Sequence, residues 1–443
     1  MNPWLGILLV LASLGLLLGS CYYGCKRFSL SAEVSRKTVH MGMGLICAFF
    51  PFIFLESWPV FLLATVAGAS LLVVRVLPGL RTSIGASLHG VARSSLGELF
   101  FPVAVAMVWY ISFESPIYYS LSVLVLTLAD AFAALVGTRY GQQHYTTAEG
   151  HKTWEGSLTF FFAAFLCIHV PLLLMTTIGR AECLLIALLI GLLVTIVEAV
   201  AWQGLDNLFI PLCVCILLNV YDDFTALQIL MRIVFIVAVT LSLFLVRSRT
   251  KLDDAAILGA SLVTYLSVTA GGWQWVIAPG ILFINTFFLG PVKKKVEERV
   301  HTIHSTLTVT LPGLFWLLLY YRQGHGELFL CYNLAYMVEL SCLFIAQWAF
   351  EERKRSLARI SIQAGLLSFA MIMTPYAAIT FNEIQAAELL LGLACSLVSG
   401  PLFCILQPQI RDSPLDLGRY LRQGSIGFAV SSFPFLAPIF FAH

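Results

Sequence analysis

The chain has 443 residues, 59% of them hydrophobic and only 11% charged, with a formal net charge of +2. Soluble domains carry about 25% charged residues, so this composition excludes an ordinary soluble fold, and the near-neutral balance gives no reason to expect nucleic acid as a partner. The 11 cysteines fall mostly inside apolar segments without a C-x-x-C pair. Zinc and a disulfide framework are therefore not expected, and the cysteines read as small buried hydrophobes.

Apolar stretches of roughly 17–25 residues recur along the whole length, which is the pattern of membrane-spanning helices. The first, near 4–23, has its charges (Lys26 and Arg27) after the apolar run. That order argues for a retained helix with its N-terminus outside. Further stretches lie near 38–54, 59–77, 99–113, 117–137, 157–178, 181–200, 207–220, 229–246, 254–270, 273–290, 306–321, 327–350, 358–375, 383–407 and 424–441. The expected fold is all-α and polytopic, with about sixteen transmembrane helices. With the first helix running inward, every Lys and Arg except Arg180, Arg232 and Arg322 falls on the cytoplasmic side. The positive-inside rule demands such asymmetry. A multi-pass protein of a bacterial inner membrane, with its polar motifs facing the cytoplasm, is the expectation. A boundary is placed at Asp222–Asp223, dividing 1–222 from a second bundle, 223–443.

Five constellations stand out in the first half. In SRKTVHMGMG, Arg36 and His40 are four apart and share a helix face, with Lys37 beside them. The cluster suits phosphates, or serves as an interfacial anchor. In ARSSLGELFFP, Arg93 and Glu98 flank a glycine and position a substrate or pair with each other. In LADAFAALVGTRYG, Asp130, Ala134, Gly137 and Gly141 fall on one helical face. An acid in so close-packed a seam reads as a magnesium ligand or a structural ion pair. GHKTWEGS, residues 150–157, has neither the second glycine nor the preceding strand of a P-loop. It reads instead as a basic turn at a helix N-terminus near Ser157, where free N–H groups, the dipole and Lys152 favour an anion. In VEAVAWQGLDNLFIP, Glu198 closes one span, Gly204 breaks the helix and Asp206–Asn207 open the next, in a loop without Lys or Arg. Two carboxylates and an amide opposite basic loops suit a magnesium–nucleotide complex.

Taken in order, Arg36-Lys37-x-x-His40, Asp130-x-x-Ala133 with Gly137 and Gly141, Lys152-Thr153-Trp154-Glu155-Gly156-Ser157, and Glu198 with Asp206-Asn207 and Pro211 resemble the CTP-dependent polyprenol kinase family. Dolichol kinase, phytol kinase and the CTP-dependent diacylglycerol kinase of fungi belong to it. The resemblance covers about residues 30–220. It implies transfer of the γ-phosphoryl of CTP, with Mg2+, to the hydroxyl of phytol, a polyprenol or diacylglycerol. It places Arg36, Lys37, His40, Lys152, Thr153, Glu155, Gly156 and Asn207 at the nucleotide, and Asp130, Glu198 and Asp206 at the metal. Asp130, Lys152 and Asp206 take catalytic roles, with Asp130 or Asp206 receiving the hydroxyl proton. Phosphatidate cytidylyltransferases share the Lys-Thr-x-Glu-Gly turn, so CDP-diacylglycerol synthesis is the alternative enzyme. A transporter with an acidic midplane site is an alternative of another class. Residues 251–260 resemble the start of a membrane family that includes phytyl-phosphate kinase, whose later motifs are not found, and 223–443 is left without a role.

Overall fold

The computed structural model describes residues 2–28, 32–77, 96–147, 150–250, 252–288, 302–381, 385–412 and 416–436. It is 84% helical, and eleven of the described helices are long and apolar enough to cross a membrane. The count of about sixteen is not confirmed, and each of the five remaining stretches has a local reason. The stretch 38–54 breaks at Phe49, between Ala32–Ala48 and the short Phe50–Ile53 helix with Pro51 in its first turn. Proline has no N–H with which to continue the ladder. Gly97–Ile111 and Asp206–Tyr221 are helices of only 15 and 16 residues. The stretch 273–290 opens as a 3-10 turn, and Ile277–Phe288 provides 12 described helical residues, with 289 and 290 outside the described residues. At the C-terminal end, Leu417–Ser431 stops and Phe433–Leu436, with Pro434, is a separate turn; 437–443 lie outside the described residues.

The chain forms two compact units, Met1–Val234 and Phe235–His443. The first contains α1 (Pro3–Phe28), α2 (Ala32–Ala48), α3 (Phe50–Ile53), α4 (Trp58–Val76), α5 (Gly97–Ile111) and α6 (Pro116–Tyr140). An antiparallel hairpin follows, β1 (His144–Thr147) with β2 (Gly150–Thr153), and then α7 (Trp154–Met175), α8 (Arg180–Val200) and α9 (Asp206–Tyr221). The hairpin corrects the reading of GHKT as a strandless turn. Lys152 stands on a strand that runs directly into a helix, which starts at Trp154 rather than near Ser157.

Helix α6 is central to this unit, packing against α2, α7 and α9. It starts at Pro116, where the missing N–H would have no helical partner anyway. Its seam with α7 depends on glycine. A Cβ on Gly137 would lie 2.9 Å from Thr153 Oγ1, and one on Gly156 would lie 3.3 Å from the Ala133 carbonyl oxygen. On α7, Leu158, Phe162, Leu166 and Val170 are exposed, while Phe160, Ala164, Ile168 and Leu172 are buried. Four-residue spacing keeps each set on one face, and the bare apolar stripe suits lipid tails. Where α2 ends and α6 begins, Ile7, Val10, Phe50, Phe54, Val60, Trp109 and Tyr119 form a dry cluster. Trp109 meets Tyr119 edge to face at 5.2 Å, an arrangement worth about 0.5–1.5 kcal/mol. The polar residues lie toward the other ends of these helices.

The division between the units falls within α10 (Ala226–Leu245). The second unit continues with α11 (Asp254–Leu266), α12 (Ile277–Phe288), α13 (Ile303–Gln323), α14 (Leu328–Glu351), α15 (Leu357–Ile379), α16 (Ala386–Leu406), α17 (Leu417–Ser431) and α18 (Phe433–Leu436). Helix α14 is almost wholly enclosed by α13, α15, α16 and α17. Within it the buried Glu339 accepts a hydrogen bond from Gln423 Nε2 at 2.8 Å, which ties α14 to α17. Every cysteine whose side chain is described is free.

Candidate active site

The residues singled out in the sequence converge on one cavity of about 780 Å3 in the first unit. Arg36, Lys37 and His40 reach it from α2, Asp130 from α6, and Lys152 and Thr153 from β2. Gly156 lines it from the start of α7, Glu198 from the last turn of α8, and Asp206 and Asn207 from the first turn of α9. Ala133, Ala134, Gly137 and Gly141 give the wall its small-residue stretch. Glu155 is not among the lining residues. Its Oε1 accepts from the Gln143 N–H at 3.2 Å, so it anchors the entry to the hairpin instead. Arg93 lies outside the described residues, whereas Glu98 lines the cavity from α5.

Local chemistry explains how these side chains are held. Thr153 is the N-cap of α7, and its hydroxyl accepts from the Gly156 N–H at 3.2 Å. Such a cap satisfies one of the helix's unpaired donors. The loop from α8 to α9 turns through Gln203 and Gly204, both with positive φ (53° and 83°). Glycine adopts that conformation freely, which is how one short loop presents Glu198 and Asp206 to the same cavity. The Leu96 N–H donates to the Gln203 carbonyl at 3.1 Å and fixes the loop against the start of α5.

The electrostatics are organised as ion pairs. Lys37 Nζ lies 2.6 Å from Asp130 Oδ2, and His40 Nε2 lies 3.9 Å from the same oxygen. Lys152 Nζ lies 2.6 Å from Glu198 Oε1 and donates to the Glu198 carbonyl at 2.5 Å. Burial pulls the Lys152 ammonium down, but the Glu198 carboxylate outweighs it and holds the group above the usual lysine range. Asp206, at the mouth of α9, is pushed up to about 6 by burial and then by the charge of Asp130, with Lys152 opposing. Among the described residues, no three His, Cys, Asp or Glu side chains gather closely enough to form a metal cage. The donor set of carboxylates and an Asn amide is nevertheless the oxygen chemistry of Mg2+, which commonly takes one or two carboxylates and completes its shell with water and phosphate. These residues therefore fit a cation that arrives with phosphates better than a resident one.

Sequence reasoning assigned no role to His144, His151, Thr138 or Trp202, all of which line the cavity. The two histidines meet edge to face at 6.4 Å across the hairpin. The adjacency of His151 to Lys152 was the one available signal, and it carries no geometry until the strand is seen.

No family model matches the chain, and no solved structure does. Among curated proteins, it is 33% identical over 189 residues to the phytol kinase of the cyanobacterium Synechocystis, a match covering 78% of that protein and 42% of this chain. It is 30% identical over 201 residues to probable phytol kinase 2, chloroplastic, of Glycine max, and 28% identical over 212 residues to a probable chloroplastic phytol kinase of Zea mays. Those matches cover 65% and 66% of the plant proteins, slightly under two thirds of their length. The ordered motifs on one cavity and the identity to the cyanobacterial protein agree, and the chain belongs to the polyprenol and phytol kinase family.

Proposed function

We propose that the first unit is a CTP-dependent kinase that phosphorylates the hydroxyl of a membrane isoprenoid alcohol, with phytol as the first candidate substrate. The observation that carries this reading is the convergence of Arg36, Lys37, His40, Asp130, Lys152, Glu198 and Asp206 on one cavity at helix ends. The names of the relatives supply the alcohol, and family resemblance supplies CTP and a cytoplasmic orientation. Phosphoryl transfer asks for positioning and charge stabilisation more than covalent machinery, and this cavity offers cations, carboxylates and a capped helix N-terminus.

In this reading Lys152 and Arg36 hold the phosphate chain, and Asp130, Glu198 and Asp206 would hold an accompanying Mg2+, which would supply charge neutralisation for the transferred group. The alcohol oxygen forms a new bond to the γ-phosphorus while the bond from that phosphorus to the bridging oxygen breaks, releasing CDP. The hydroxyl proton passes to a carboxylate, Asp130 or Asp206. The exposed apolar stripe of α7 is where a lipid alcohol would meet the protein.

The test is to incubate the purified chain in nanodiscs with γ-labelled CTP or ATP and a panel of phytol, a long polyprenol and diacylglycerol. Label recovered in phytyl phosphate, faster with CTP, supports the reading. Transfer of the cytidylyl group with release of pyrophosphate would replace it with the cytidylyltransferase alternative.

A further inference from the structure

Two of the four carboxylates lining the cavity are already held by lysines. Lys37 from α2 pairs with Asp130 on α6, and Lys152 from β2 pairs with Glu198 on α8, each at 2.6 Å. The lysine side chains are 11% and 28% exposed, so water screens them only partly. Asp206, among the described residues, is paired with no lysine or arginine. Glu198 Oε2 and His40 Nε2 are buried without a hydrogen-bond partner. Three Lys and Arg side chains face four Asp and Glu side chains across the cavity. Its formal charge therefore does not by itself attract a triphosphate.

We propose that nucleotide binding exchanges these two ion pairs. The phosphates take Lys37 and Lys152, and Asp130 and Glu198 are thereby freed for the divalent cation that accompanies the phosphates. The proposal rests on the kinase reading for the identity of its anion. Its consequence is that cation and nucleotide bind as a coupled pair. A cation arriving alone must displace the Lys37 ammonium and leave it buried without a counter-charge, which is strongly unfavourable. Phosphates arriving alone strand the carboxylates in the same way. Arriving together, they leave no charge unpaired, and by linkage each tightens the other by the same factor.

The test is a Mn2+ titration of the full chain in neutral-lipid nanodiscs, read by electron paramagnetic resonance. It is run with and without a CTP analogue carrying a β,γ-methylene bridge, with the Mn2+–analogue complex alone subtracted. The analogue should tighten Mn2+ binding to the wild type roughly 10- to 100-fold, in the usual range of site coupling. Lys37→Met frees Asp130 in advance, so Mn2+ alone should bind at least about tenfold tighter and the analogue should add correspondingly less. Adding Asp130→Asn should restore weak binding. Asp130→Asn by itself releases Lys37, so the analogue without Mn2+ should bind tighter than to the wild type. That variant keeps the test intact if Lys37→Met does not fold. Equal Mn2+ affinity with and without the analogue, or a Lys37→Met chain that binds Mn2+ no tighter, overturns the exchange. Coupling in a chain that never phosphorylates a lipid alcohol would leave the exchange standing and refute the kinase reading; transfer without coupling would do the reverse.

Discussion

Replacing Lys152 by Ala removes a charge that has two partners, Glu198 Oε1 at 2.6 Å and the Glu198 carbonyl at 2.5 Å. Two effects follow and can be separated. The first is on stability: hydrogen bonds to a charged group contribute about 1.5–3 kcal/mol, and Glu198 is left with a buried, uncompensated carboxylate. At about 2–4 °C per kcal/mol for a unit of this size, the melting temperature should fall by several degrees. The second is on turnover. Losing a charged contact to the transferring group costs about 2.7–4 kcal/mol by analogy with a lost oxyanion donor, or roughly 100- to 1000-fold. The double variant Lys152→Ala/Glu198→Gln should regain most of the stability, because no bare carboxylate remains, but not the turnover. Lys152→Arg should keep the pair with Glu198 and rescue turnover only in part, since a planar fork does not reproduce a compact ammonium. The assay is phytyl phosphate formation in nanodiscs beside a thermal melt of each variant. Turnover that tracks melting temperature across all three variants would reduce Lys152 to a structural ion pair and refute the reasoning.

Asp206 gives a pH prediction, because its carboxyl sits near 6 and must lose its proton to face a cation. Affinity for the Mg2+–nucleotide complex should fall roughly tenfold per unit as pH drops below 6, and Asp206→Asn should abolish that slope. For stability the sign is opposite: protonated Asp206 favours the fold below about pH 4, and that contribution is lost as pH rises through 6. Thr153→Ala, which removes the cap on α7, should cost about 0.5–2 kcal/mol in a thermal melt, while Thr153→Ser keeps the oxygen and most of the stability. Gly137→Ala places a Cβ 2.9 Å from Thr153 Oγ1 and should cost about 1–3 kcal/mol by overpacking the α6–α7 seam. An unchanged melt for Gly137→Ala would mean that the seam opens freely.

The gathering of these residues around one cavity was legible in the sequence, and their pairing was not. Lys and Arg asymmetry around apolar runs placed the motifs of residues 36–40, 130, 152 and 198–207 on one side, and the cavity gathers them. That Lys37 is held by Asp130, 93 residues away, follows from the packing of α2 on α6, which no local pattern encodes. The hairpin was missed because His144–Thr147 and Gly150–Thr153 are four residues each, too short and too polar for a periodicity of two to register. The span count exceeds the long described helices where a proline lies at a break, at Pro51 and Pro434, and where the described helix is short, at Gly97–Ile111 and Asp206–Tyr221. Hydropathy averages over such breaks, whereas the backbone cannot. The contact of Glu155 was not legible for a related reason: in a helix starting at Trp154 it turns back to the hairpin.

The central claim, that the cavity between α2, α6, β2, α8 and α9 transfers a phosphoryl group to an isoprenoid alcohol, is tested most directly by one measurement. The purified chain in nanodiscs containing phytol is given CTP labelled at the γ-phosphate, with Lys152→Ala/Glu198→Gln as the stable control. The account predicts label in phytyl phosphate for the wild type and a loss of roughly 100- to 1000-fold for the control at unchanged fold. Labelled phytyl phosphate formed equally by both proteins, or by neither with any lipid alcohol in the panel, would contradict it.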